Sequence, residues 1–175
     1  SSCLFSSVFK PQSAYEFPLR LAVLRVLFLC TKGAPKSDIS PPGALKTTVP
    51  RATSVAFPDG ARGAAAGVSF DQTLKTLGIA EEMKSKITRA QGGALSMEML
   101  SKGEVEIGLT FLSKIHDPGV EVVGILPRGI SEPTALVGYV SAKAKSPEAA
   151  KALLKYLSGP EAAVVYRAIG MKAGK

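Results

Sequence analysis

His116 is the one histidine in a chain of 175 residues, and Cys3 and Cys30 are its only cysteines. Neither cysteine has a Cys or His at finger or ribbon spacing, so a structural zinc module is excluded and no metal site is expected. His116 stands beside Asp117 in a His-Asp-Pro-Gly turn. Adjacent residues in a turn do not orient one another as a catalytic triad requires, and no Gly-x-Ser-x-Gly elbow supplies a nucleophile. Glu104 and Glu106 share one face at a strand start, which reads as a solvated edge rather than an acid/base pair. Cys3 and Cys30 lack an activating neighbour, and no Walker loop or Gly-x-Gly-x-x-Gly follows a strand. No catalytic residue and no cofactor is expected, and the chain reads as a non-enzyme.

What remains is a pair of helix starts built from small residues, Gly60 to Gly67 and Gln91 to Ala94. The first amides of any helix lack partners within it, and the helix dipole favours negative charge there. Small side chains at such an end let an anion reach the backbone directly, and two ends together can cradle one oxyanion. The same residues would equally serve tight turns and close packing.

The elements that position these ends follow from the patterning. Leu19 to Cys30 reads as a buried strand ending near Cys30. Gly43 to Thr48 is read as one helical turn within a connector, and Ser54 to Phe57 as a short strand feeding the first small-residue turn. Phe70, Leu74 and Leu77 recur at helical spacing before Gly78, a left-handed stop. Ile79, Met83 and Ile87 continue a helical face, and a helix over Ala94 to Lys102 buries Leu95, Met99 and Leu100. Val105, Ile107, Leu109 and Phe111 alternate with Glu106, Gly108 and Thr110, the mark of a strand. Two more strands are expected over Val120–Leu126 and Ala135–Ser141. Ser146-Pro147 opens a helix with a stripe of Ala150, Leu153, Leu154 and Leu157. In the last helix Val164, Val165, Ala168 and Ile169 are expected to pack. The rhythm is α/β.

Lys and Arg number 22 against 14 acids, a net charge of +8, with 46% apolar residues, which excludes general disorder. The excess is +5 over residues 1–58 and only +3 over residues 59–175. Without a basic stripe, a stacking set or a helix-turn-helix signature, no nucleic acid partner is expected. Leu19–Cys30 is too short for a membrane span and carries Arg20 and Arg25. Arg25 also splits what would be a signal sequence, Leu29 fits poorly before a lipoprotein cysteine, and residues 1–18 show no periodicity.

A set of blocks in order carries a family resemblance: Gly33-Ala34-Pro35-Lys36-Ser37-Asp38-Ile39-Ser40, Ala44-Leu45-Lys46, then Ser54 to Asp59 with Gly63 to Val68. Further on stand Leu77-Gly78-Ile79-Ala80, Gly92-Gly93-Ala94, Gly103 to Gly108, Pro118 to Gly124 and Tyr156 to Ala163. Over about four fifths of its length the chain resembles the molybdate-type substrate-binding proteins of ABC transporters, in the type II periplasmic-binding-protein superfamily. The resemblance implies an α/β fold with one nearly complete lobe and the C-terminal part of the other. Its divisions would be an atypical segment 1–30, a connector or hinge 31–47, the second lobe 48–125, and a return to the first lobe 126–175.

By the same resemblance, Ala66 and Gln91 match two backbone donors to the oxyanion, with Ala65 and Gly92 beside them. Phe111 falls where such binders carry a tyrosine whose hydroxyl donates, which a phenyl ring cannot do. Thr110 or Ser113 would have to substitute, and alternation puts Thr110 on the opposite face. Arg62 adds a charge that neutral cradles do not use. The implied partners are a small oxyanion such as molybdate and an ABC permease, and the implied location is the periplasm. With the opening half of the first lobe lacking a counterpart, affinity is expected to be millimolar at best. The alternatives are a ligand-sensing domain of a transcription regulator with the same fold, and an inactive product of a disrupted gene.

Overall fold

The apolar run from Leu19 to Cys30 makes two strands rather than one. In the computed structural model, which describes residues 15–111 and 117–174, β1 (Tyr15–Leu24) stops at Arg25 and β2 (Val26–Thr31) begins after it. An apolar surrounding cannot leave a guanidinium unpaired, and Nη2 of Arg25 donates to the Leu126 carbonyl at 2.8 Å while Nε stays buried without a partner. The residues fall into two compact units. Of the described residues, the larger holds those of Leu24–Thr134 with Ile169–Met171, and the smaller takes residues 15–23, Ala135–Ala168 and residues 172–174.

In the larger unit the order of elements is β2, α1 (Pro42–Arg51), β3 (Val55–Pro58), α2 (Ala65–Leu77), α3 (Ala80–Met83), β4 (Ile87–Ala90), α4 (Gly93–Ser101), β5 (Ile107–Phe111) and β6 (Val120–Ile125). The strands form one sheet in the order β4-β3-β5-β2-β6, with β3 parallel to both β4 and β5, and β2 antiparallel to β5 and β6. Successive β2 side chains point to opposite faces. Val26 and Phe28 join Leu45, Val49, Phe57, Phe70, Leu74 and Leu109 in one core layer, while Leu27 and Leu29 meet Ala56, Met97, Leu100 and Val105 in the other. Both faces are covered, which is why the strand reads as an unbroken apolar run.

Strand β5 is buried on both faces: Gly108 and Thr110 are buried, and a Cβ on Gly108 would meet Met97 and Leu100 of α4. Two expectations change here. Ile87 belongs to the edge strand β4 rather than to a helical face, because α3 is a single turn followed by a 3₁₀ turn at Lys84–Lys86. In α4 the buried side chains are Ser96, Met97 and Leu100, and Leu95 is exposed, since the helix is turned by its close seat on Gly108.

The boundaries move as well. Residues 26–31 are a buried strand of the larger unit, and the segment read as a connector supplies Ile39 and, from the ten-residue helix α1 that begins within it, Leu45 to its core. Leu126 stays in this unit, buried, with its N–H bonded to the Val26 carbonyl at 3.0 Å.

The smaller unit pairs β7 (Thr134–Ser141), β1 and β8 (Lys172–Ala173) in the order β7-β1-β8, with helices α5 (Pro147–Leu157) and α6 (Pro160–Ala168). Leu21, Val140 and Leu154 form its core, with Ala150, Leu157 and Tyr166 around them. A Cβ on Gly138 would overlap Leu154, so α5 sits down on the strand at that point. The apolar stripe is consequently narrower than the sequence promises. Leu153, Val164 and Val165 are exposed, and Ala162 is the buried residue of α6.

Gly67 and Gly43 give opposite predictions for the same change. A Cβ on Gly67 would overlap the Pro58 carbonyl oxygen, whereas Gly43 in α1 faces open space at negative φ. Gly67→Ala should cost about 1–3 kcal/mol by overpacking. Gly43→Ala should add about 0.4–1 kcal/mol by restricting the unfolded chain. Urea unfolding of both variants checks the contrast, and a neutral Gly67→Ala would show that the contact is not as tight as drawn.

Candidate functional site

β3 and β4 leave the sheet side by side, because their parallel register sets Pro58 against Ala90. The pairing continues one residue further, with the Asp59 N–H donating to the Ala90 carbonyl at 3.0 Å. That carbonyl also accepts the Gly92 N–H at 2.9 Å. One oxygen therefore ties together the two loops that lead into α2 and α4.

On the first loop, the Asp59 carboxylate accepts the Ala61 N–H at 3.0 Å and winds residues 60–62 into a 3₁₀ turn. Its carbonyl takes the N–H groups of Arg62 and Ala64, at 3.2 and 3.3 Å. Gly63 closes the turn at φ 85°, and α2 starts at Ala65 with Ala64 as N-cap. On the second loop Gly92 is the N-cap of α4 at φ 102° and ψ 169°, a region that only glycine enters readily. Neither N-cap contributes a capping side chain. The first intrahelical bonds run from Val68 to Ala64 at 3.0 Å and from Ser96 to Gly92 at 3.3 Å, so the amides of residues 65–67 and 93–95 precede the intrahelical ladders.

Both N-caps line one cavity of about 300 Å³, together with Asp59, Arg62, Gly63, Ala90 and Gln91. It lies at the carboxyl ends of parallel strands, where open α/β sheets place ligands. Its charged surroundings form a chain of ion pairs. Arg89 holds Asp71 with both terminal nitrogens, at 2.9 and 2.8 Å, and its guanidinium carbon stands 5.1 Å from the Phe57 ring centre. The Asp71 hydrogen bonds push the Arg89 pKa up and keep it protonated. Nη1 of Arg89 is 3.9 Å from the Asp59 carboxylate and Nε of Arg62 is 3.6 Å from it. Asp59 is therefore flanked by two cations.

The structure brings Gln91 and Gly92 into the cavity wall beside Ala64, and places Ala65 and Ala66 in the first turn that follows, Ala65 exposed and Ala66 buried. Phe111 is not brought to this wall. It ends β5 opposite Val26 and packs against the core layer of Phe57 and Phe70, as an apolar ring should. Thr110 is fully buried, and Ser113, His116 and Cys3 lie outside the described residues. Sequence reading passed over the role of Asp59 and Ala90. The Pro58-Asp59-Gly60-Ala61 order was the available sign, since an Asp carboxylate commonly bonds the backbone two residues on.

Two further candidates have structural rather than chemical settings. Glu106 accepts from the Thr53 N–H and hydroxyl, at 2.8 and 3.0 Å. Cys30 is a free, buried thiol whose pKa is pushed up by burial and by the Glu121 charge, the opposite of an activated nucleophile. Among the described residues no group of His, Cys, Asp and Glu can hold a metal, and no helix is long and apolar enough to cross a membrane.

The profile of the bacterial extracellular solute-binding proteins matches residues 14–172. An aconitate isomerase from a Pseudomonas species is 31% identical over 98% of this chain and 64% of its own length. The molybdate-binding protein ModA of Azotobacter vinelandii is 33% identical over 72% of this chain and 50% of its own. The chain thus spans about two thirds and half of these relatives. The solved periplasmic molybdate-binding protein of the same organism superposes with a TM-score of 0.67 at 17% identity, over 95% of this chain and 71% of that one. The fold is that of the type II periplasmic binding proteins, as the resemblance implied.

An unoccupied cap makes a direct prediction. Ala64 has the extended backbone of an N-cap, at φ −73° and ψ 107°. Ala64→Asp should therefore raise stability by about 0.5–2 kcal/mol. Thermal or urea unfolding checks it, and no gain would mean that the first amides of α2 are already engaged.

Proposed function

The chain belongs to the bacterial extracellular solute-binding proteins, and on that footing we propose that it is the solute-binding component of an ABC-type importer, with a small oxyanion as ligand. The observation that carries this reading is the meeting of two helix starts without capping side chains, those of α2 and α4, in one cavity. Amides there are held in place before the ligand arrives, so their alignment costs no further ordering, and both helix dipoles favour negative charge. Backbone N–H groups of Ala66 and Gln91 would donate to the ligand, while the Gly92 N–H is already given to the Ala90 carbonyl at 2.9 Å. Phe111 takes no part as a donor, so the set is poorer by one hydroxyl than the molybdate-binder pattern. The ModA relative and the solved periplasmic molybdate-binding protein support molybdate as the reference ligand. The periplasm is the location consistent with such a role.

The aconitate isomerase relative bears on whether the site also performs a reaction. Moving a double bond along such an acid needs a base that carries a proton between carbons. Among the described residues the one carboxylate lining the cavity, Asp59, is engaged with the Ala61 N–H and with Arg62. The role we assign it is to shape the loop, so the site binds without transforming.

Every group lining the cavity comes from the larger unit, so the expected dissociation constant is millimolar, about −4 kcal/mol. Titration of the isotope-labelled chain with molybdate, tungstate, sulfate and phosphate, followed by NMR, should move the amides of Ala66, Gly67, Gly93 and Ala94 together. Ala64→Asp should weaken those shifts while it stabilises the fold. Shifts scattered over surface lysines instead would sink the proposal. Incubation with cis-aconitate should leave the olefinic proton signal unchanged, and its conversion would show an enzyme.

A further inference from the structure

Two arginines sit in the ion-pair chain at the cavity, and they are used differently. Arg89 spends both terminal nitrogens on Asp71. Arg62 lines the cavity with its side chain two thirds exposed, and its ion pair with Asp59 closes no nearer than 3.6 Å, at Nε, too long for a hydrogen bond. Among the hydrogen bonds of the described residues, none uses a terminal nitrogen of Arg62. Such a planar fork fits a carboxylate with two parallel bonds.

The space beside it exceeds what one inorganic oxyanion fills. A tetrahedral ion takes the room of two or three water molecules, about 30 Å³ each. The cavity holds about 300 Å³, and Gly63, Ala64, Ala90 and Gly92 contribute little side-chain bulk to its wall. That volume falls at the lower end of organic-ligand sites, about 300–1,000 Å³. A ligand with one anionic head on the helix starts would extend past Arg62.

Building on the anion reading of this cavity, we propose that Arg62 is a specificity-determining residue that fastens a second acidic group of the ligand, and that the solute class is a small di- or tricarboxylate. The helix starts take one carboxylate, and the fork of Arg62, whose terminal nitrogens make no hydrogen bond within the described residues, takes another. Acids with a single head forfeit the second contact.

The test is an NMR titration of the whole chain with tricarballylate, acetate and molybdate, in wild type, Arg62→Gln, Arg62→Lys and Lys75→Gln. Lys75 lies in the last turn of α2, at the opposite end from the cavity, and removes the same unit of charge. Wild type should bind tricarballylate at least about tenfold more tightly than acetate, the gain of one charge-assisted bidentate pair. Arg62→Gln should bring the two within about twofold, Arg62→Lys should keep only part of the preference, and Lys75→Gln should keep it all. A preference that survives Arg62→Gln, or that Lys75→Gln abolishes equally, overturns the assignment. Acetate or molybdate binding with no preference for tricarballylate overturns the role of Arg62 and leaves the anion site standing, whereas amides that respond to none of the three overturn both.

Discussion

The carbonyl of Ala90 holds the functional end of the larger unit together. It receives the Asp59 N–H at 3.0 Å and the Gly92 N–H at 2.9 Å, and so fixes where two chains leave the sheet. Parallel pairing of β3 and β4 makes this arrangement possible, because parallel strands end at the same edge and at the same level. The helices that follow must then start near one another, with their positive ends toward common ground. Like partial charges disfavour that placement unless something negative stands nearby. Asp59 supplies a resident carboxylate in the cavity wall, and its own charge is offset by Arg62 and Arg89.

Small residues at this edge serve packing and access at once. Gly67 is required because the Pro58 carbonyl occupies the place of its Cβ, and Gly60 because a Cβ there would press on the backbone of Val68 at 2.8 Å. Gly92 is required by its backbone angles. None of these three needs says anything about a ligand. Ala64 is different, since serine, threonine or aspartate at that N-cap would stabilise the helix. An alanine there leaves donors open, and that is the residue at which stability and binding point in opposite directions.

Much of this was legible in the residues. The α/β rhythm, Gly78 as the stop of α2 and the two small-residue helix starts all stand where their spacing put them. The misses have physical causes. Strand β4 offers only Ile87 and Ala90 as apolar residues, and edge strands carry little pattern of their own. The face of α4 was set by Gly108 on another strand, so Met97 rather than Leu95 went inward. In α6, Val164 and Val165 are exposed although their type argues for burial, because local periodicity does not reveal how much sheet is available to cover a helix. The core role of α1 was hidden by its flanking prolines, which read as punctuation. At the site, Asp59 acts through its main chain as much as its carboxylate, and no side-chain pattern records a backbone bond to Ala90.

The most direct test is to locate a heavy oxyanion crystallographically. Crystals of the chain soaked in tungstate, with data collected at the tungsten edge, should show an anomalous peak in front of the first turns of α2 and α4, with the oxygens of that ion within about 2.7–3.2 Å of the amide nitrogens that open the two helices. A peak that avoids this edge of the sheet and settles on exposed lysines, or first-turn amides found capped by the protein's own side chains, would contradict the account.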